Sequence, residues 1–190
     1  MPDTPDLLRC PWCGTDPLYV TYHDTEWGVP VRDPRALWEL LMLEGFQAGL
    51  SWITILRKRP AFRAAFAGFR PEVVADWGVR DIERLMADPG IVRHRGKIAA
   101  TISSARAYRR LEAGLGFADL VWRTVDGVPL VNRRATAAEV PAVTPASEAL
   151  SKSLRNAGFT YCGPRTAYAF MQAAGLVNDH LLTCHRHPAG

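Results

Sequence analysis

The chain predicts an all-α fold, and three observations carry it. Apolar residues recur at helical spacing in successive segments: Leu37, Leu40 and Leu41; Ile82, Leu85 and Met86; Leu150 and Leu154. Helix punctuation bounds those segments, with Pro34, Pro71, Pro145 and Pro164 at their openings and Gly158 and Gly175 at their ends. Alternating apolar and polar runs, the mark of a half-buried strand, are thin throughout. The 190 residues suffice for one substantial core or two small lobes sharing a cleft. A content of 48% hydrophobic and 22% charged residues excludes disorder. No apolar run approaches the roughly 18 residues of a membrane span.

Met1 to Arg9 carries two Asp and two Pro and no apolar signal core, which places the protein in the cytoplasm. Cys10-Pro11-Trp12-Cys13 is a Cys-x-x-Cys with His23 close behind, and His180 and Cys184 lie four apart near the other end, a spacing that shares one face of a helix. Thiol and imidazole groups at both chain ends suit a closed tetrahedral zinc clasp. Cys10 and Cys13 compete for one position, and His185 and His187 are rival ligands.

The central stretch follows Pro34. Leu37, Leu40 and Leu41 form a stripe whose next position is Glu44, so the helix delivers a carboxylate inward. Trp38, Met42 and Leu43 cover the remaining circumference, so this helix is enclosed nearly all round. A buried acid is paired, hydrogen-bonded or used, because desolvating its charge costs several kcal/mol. Tyr19, Tyr22, Trp27 and Trp52 flank it, and Gly45 and Gly49 give the helix end open space. An aromatic-walled pocket with an acid floor suits a flat, hydrogen-bonding, cationic ligand.

Ser51 caps a helix through Leu56, which Pro60 ends or restarts; Phe62 and Phe66 mark a short amphipathic helix, and Pro71 opens another. Asp81 caps Ile82 to Met86, Asp88-Pro89-Gly90 turns, and a helix of about residues 98–111 follows a basic loop from Arg93 to Lys97. Residues 117–122 form a short helix, and 124–144 an irregular connection. Thr144-Pro145 opens a helix stopped by Gly158, and Pro164 opens the next, giving helix, glycine hairpin, helix. Gly163 admits close approach of backbone to ligand, and free amides at the Pro164 helix start suit a phosphate. The net charge of +4 permits a nucleic-acid partner without demanding one.

Four stretches, YVTYHDTEWGVP from Tyr19, LEGFQAGLSW from Leu43, HRGKI from His94 and GLVNDH from Gly175, resemble the bacterial DNA-3-methyladenine glycosylase I family of the helix-hairpin-helix superfamily. The match covers residues 9–187, leaving 1–8 as an N-terminal extension. The resemblance implies a two-lobed, all-α, monofunctional and monomeric enzyme with one structural zinc, which flips out N3-methyladenine from alkylated double-stranded DNA and hydrolyses its N-glycosidic bond. Carried across, zinc falls on Cys10, His23, His180 and Cys184, base recognition and catalysis on Glu44, stacking on Tyr22 and Trp52, and a further pocket contact on Tyr19. The hairpin reading makes Gly163 the expected DNA contact, with an ordinary αα-hairpin as its alternative, and Leu50 is the candidate wedge. Phe46 and Cys13 depart from the family's pattern. Asp179 lies where the wider superfamily has a catalytic acid, but this family works without one. A non-enzymatic, zinc-containing nucleic-acid-binding module is the alternative; it leaves Glu44 without a task.

Overall fold

In a computed structural model that describes residues 7–188, the chain is predominantly helical. In order come α1 (Pro17–Thr25), α2 (Pro34–Gln47), α3 (Trp52–Ala65), α4 (Pro71–Val74), α5 (Val79–Ala87), α6 (Arg95–Glu112), α7 (Phe117–Trp122), α8 (Pro145–Asn156) and α9 (Pro164–Ala173). Helix α2 is the hub, packed against α3, α6, α7 and α9. Its start is fixed by Asp33, whose Oδ1 accepts from the Ala36 amide at 2.7 Å, and by Pro34, which needs no donor there. Leu37, Trp38, Leu41, Met42, Leu43 and Phe46 are all buried, so the helix is enclosed as its sequence predicts. Phe46 continues into an aromatic row along α3: its ring centroid is 4.7 Å from Phe62, and Phe66 is 5.6 Å from Phe69. Each such pair contributes about 0.5–1.5 kcal/mol beyond area burial.

Several elements differ from their predicted bounds, each for a local reason. Helix α3 runs through Pro60 without ending, because Ile55, Leu56, Phe62 and Ala65 keep one continuous buried face on either side of the lost hydrogen bond. Ser51 makes no backbone cap; its hydroxyl pairs with that of Thr54 at 2.8 Å. Helix α6 begins at Arg95, so the basic loop is in part its first turn, capped by His94, whose Nδ1 accepts from the Lys97 amide at 3.2 Å. Asp81 sits inside the first turn of α5 and reaches back to the Gly78 amide at 3.0 Å. Residues 180–184 are not helical: Leu181 bridges Arg134, and the chain then turns through a Cys184 N–H to Leu181 carbonyl bond of 2.8 Å.

The 124–144 connection contains β1 (Leu130–Val131), paired in parallel with β2 (Val177–Asn178), Leu130 opposite Val177. The α8–α9 hairpin follows the predicted punctuation: Thr144 and Ser147 cap one another, Gly158 is left-handed (φ +99°), and Ser151 donates to the Cys162 carbonyl at 2.7 Å. One contiguous core joins the helices, and Cys10, Leu181 and Cys184 form a second small cluster where the chain ends meet. No described helix is long and apolar enough to cross a membrane.

Candidate functional site

A cavity of about 380 Å³ opens between the start of the chain, α2 and the end of α9. Tyr19 and Tyr22 reach it from α1, Glu44 from the last turns of α2, and Trp52 from the first residue of α3. Trp12, between the two cysteines of the Cys-x-x-Cys, closes one side, with its ring 5.0 Å from Tyr19 and 4.9 Å from Trp27. The sequence signal for Trp12 was its position inside a motif that draws attention to its thiols. Tyr22 and Trp52 lie 5.5 Å apart at 45°. A flat ring sandwiched between two faces needs about 7 Å, so these rings are adjoining walls of one corner.

Glu44 is buried on the cavity floor. Burial alone pushes its carboxyl up to about 8; no hydrogen bond or charge among the described residues offsets it. The indole N–H groups of Trp12 and Trp52, also lining the cavity, have no partner among the described residues. An acid left unsatisfied on the floor of an aromatic cavity carries a cost that a polar, flat ligand would remove.

Asp179 shares the cavity but differs in state. Its carboxylate accepts from Asn132 Nδ2 (2.7 Å), the Tyr168 hydroxyl (2.5 Å) and Gln172 Nε2 (2.8 Å). Three donors fix it in place and occupy three of its roughly four acceptor sites, so it organises the β2–α9 corner.

The predicted ligand quartet converges. One atom each from Cys10, His23, His180 and Cys184 lie within 4.8 Å of one another, all buried. Cys184 Sγ is 3.4 Å from both His23 Nε2 and His180 Nδ1, and Cys10 Sγ is 3.6 Å from His180 Nδ1. Donors bound tetrahedrally at about 2.0–2.3 Å to one ion form edges of about 3.3–3.8 Å, the range of these three separations, so the quartet suits a closed four-ligand metal site. The outer contacts suit it as well. Asp24 Oδ1 holds His23 Nδ1 at 2.8 Å, the Trp27 carbonyl holds His180 Nε2 at 3.1 Å, and the Leu181 and Arg186 amides point at the two sulfurs, each at 3.4 Å. Burial keeps His180 down to about 4, in the neutral form that binds metal. Cys13 lies outside the quartet, with its thiol on the Cys10 carbonyl at 3.2 Å. His185 turns to the Leu8 carbonyl and His187 to that of Asn132. The Cys/His quartet and the cavity share Cys10 and Leu181 as a wall.

Two predicted residues lie outside the cavity. Leu50 is exposed in the turn between α2 and α3, where Gly49 has a φ of +90°. Gly163 caps α9 with an extended backbone (φ −60°), and a Cβ there would meet only an Arg155 nitrogen at 3.5 Å. Gly45 is not open space, for a Cβ on it would touch the Tyr161 carbonyl at 3.6 Å. The basic run Arg57-Lys58-Arg59 at the middle of α3 is tied down, Arg57 by Asp16, Arg59 by Glu26 and Lys58 by the Pro89 and Gly90 carbonyls.

The chain is 52% identical to DNA-3-methyladenine glycosylase 1 of Escherichia coli strain K12, over 96% of this chain and 98% of that protein. It is 46% identical to a DNA-3-methyladenine glycosylase of Haemophilus influenzae, over 93% of this chain and 96% of that one. A solved 3-methyladenine DNA glycosylase I from Staphylococcus aureus, described as giving the structural basis of 3-methyladenine recognition, superposes with a TM-score of 0.90 at 41% identity, covering 95% of this chain and 96% of its own. The sequence pattern of the methyladenine glycosylases matches residues 12–187, and the chain belongs to that family.

Proposed function

We propose that the protein is a DNA repair glycosylase that excises N3-methyladenine from alkylated double-stranded DNA, with Glu44 reading the base. The observation that carries the site assignment is the unpartnered Glu44 at the floor of an aromatic cavity. A lesion inside a duplex is out of reach, so the nucleotide must be flipped into the pocket and read on its exposed edge. The base lies against the Tyr22 and Trp52 walls, with Tyr19 and Trp12 closing the far side. Methylation at N3 makes the adenine cationic, which adds cation–π attraction to those rings and makes it a good leaving group. Burial holds the empty site's Glu44 protonated up to about 8, and the arriving positive charge favours its ionised form, whose carboxylate accepts from the amino edge of the base.

The chemistry then asks little of acid catalysis. As the C1′–N9 bond breaks, its electron pair passes to the departing cationic base, and water adds at C1′ of the oxocarbenium-like sugar, losing a proton to solvent. A fixed carboxylate in a dry pocket stabilises positive charge on base and sugar. Asp179, with its oxygens occupied, is an organiser and takes no proton in this scheme.

The same reading makes residues 9–187 one catalytic unit of two helical lobes acting as a monomer, with α8 and α9 as a helix-hairpin-helix grip. The amides at Gly163 and the start of α9 hold a phosphate, and Leu50 fills the space the flipped base leaves. Cys10, His23, His180 and Cys184 hold zinc, which when bound supplies a closed structural link between the chain ends and has no open position for substrate. Incubation with alkylated duplex tests the whole: free 3-methyladenine is released by the wild type and far more slowly by Glu44→Gln. Equal release by the two would remove Glu44 from the site.

A further inference from the structure

Lys97 is a buried lysine on the first turn of α6, outside the base cavity. Its ammonium donates to the Phe46 carbonyl at 2.9 Å and to the Ala48 carbonyl at 2.7 Å. These are orphan acceptors at the C-terminal end of α2, where the helix dipole is negative and a cation is favoured. The turn that follows is pinned from within as well: Gln47 Nε2 donates to the Leu50 carbonyl at 2.6 Å, and the Leu50 amide returns to the Gln47 carbonyl at 2.7 Å. Yet the turn itself, residues 48–51, is exposed and packs on little, so these bonds are what fix its shape.

The other side of Lys97 faces the hairpin. Lys97, Gly45, Thr160 and Tyr161 line a narrow cleft between α2, α6 and the α8–α9 loop. Tyr161 holds a left-handed backbone (φ +55°), and its hydroxyl sits where a Cβ on Gly96 would come within 2.5 Å. One charged group therefore stands between the turn carrying Leu50 and the hairpin leading to Gly163.

We propose that Lys97 is a positioning residue for DNA engagement: its two bonds to the end of α2 fix the 48–51 turn against the hairpin, so that both meet one duplex as a single rigid surface. This rests on the reading of Leu50 and Gly163 as DNA contacts. It does not require Lys97 to touch DNA or base.

The test separates hold on DNA from hold on base. Lys97→Met keeps the unbranched stem and removes the donors. Binding is measured to a duplex carrying a tetrahydrofuran abasic-site analogue and, separately, to free 3-methyladenine, below the melting temperature of every variant. We expect Lys97→Met to weaken the duplex about tenfold while the free base changes by less than about twofold. In a Leu50→Ala background the same substitution should add less than about twofold, because its route of action is already gone. Gly49→Ala strains the turn at a left-handed φ without touching Lys97, and should show the same split. Parallel loss of duplex and free base in Lys97→Met, independent multiplication with Leu50→Ala, or full duplex affinity in Gly49→Ala would each overturn the proposal. If Leu50→Ala alone leaves the duplex affinity intact, the Leu50 assignment fails. Joint loss in Lys97→Met and Gly49→Ala then still supports the positioning role, and loss in neither overturns it.

Discussion

Two buried carboxylates share the cavity, and they differ in their hydrogen-bond partners. Among the described residues Asp179 accepts from three donors, whereas Glu44 has none. Asp179→Asn turns one oxygen into a donor facing donors, which should cost about 1–3 kcal/mol in a thermal melt and leave the affinity for free 3-methyladenine largely in place. Glu44→Gln should do the opposite. A charge-assisted hydrogen bond in a desolvated site contributes roughly 1.5–3 kcal/mol, so titration of the free base should show about a 10- to 150-fold weaker hold. The fold should survive, since no protein donor is stranded. Glu44 also leaves a pH signature. Its folded value of about 8 lies above the ordinary 4.5, so between those limits the folded protein holds a proton that the unfolded chain has released. Its contribution to stability is fully present below 4.5 and is lost as pH rises to about 8. Melts of the base-free protein across that range should slope downward, and Glu44→Gln should flatten the slope. Glu44 was legible in the sequence because an acid at the next position of an apolar helical stripe has one place to point. Asp179 was not, because its three donors come from two helical positions and a loop with no shared period.

At the scale of elements, punctuation was legible and boundaries set by tertiary contact were not. Pro145, Gly158 and Pro164 delimit the hairpin in sequence and in structure alike. The start of α6 was missed because a histidine accepting from the amide three residues on is a weaker cap signal than Ser or Asp. The strands β1 and β2 have two residues each, too few for an alternation to show. Continuity of α3 past Pro60 depends on a buried face that local propensity cannot report. The hairpin offers a test of its own. Gly163 has an ordinary extended φ of −60° and only one neighbour within reach of a Cβ, at 3.5 Å. Gly163→Val should therefore leave the melting temperature nearly unchanged, so that any effect on DNA reports approach from outside. We expect weaker binding to all duplexes alike and a shallower dependence on salt, because phosphate contacts position without reading sequence. Unchanged affinity and salt slope would make the hairpin a packing element only.

At the scale of the whole molecule, the segments near the two ends of the described residues meet, and the meeting point is a wall of the cavity. That the two ligand pairs converge was legible from residue type alone, while the helix expected between His180 and Cys184 is a turn that follows a bridge to Arg134. The choice between Cys10 and Cys13 could not be read from spacing; structure resolves the geometry, since only Cys10 offers its sulfur to the quartet. A four-ligand zinc contributes its binding free energy directly to folding, because no such site exists in the unfolded chain. Elemental analysis should therefore give one zinc per chain. Cys184→Ser should lose the ion and a large part of the thermal stability, whereas Cys13→Ser should keep both. Chelation adds a consequence specific to this architecture. Cys10 and Leu181 line the cavity as well as the clasp, so stripping the metal should weaken free 3-methyladenine binding even at temperatures where the helices remain folded by circular dichroism. By reciprocity, saturating base should raise the apparent affinity for zinc in an equilibrium competition with a chelator. Metal-free protein that binds the base as tightly as before would show that the clasp and the pocket are energetically separate despite their common wall.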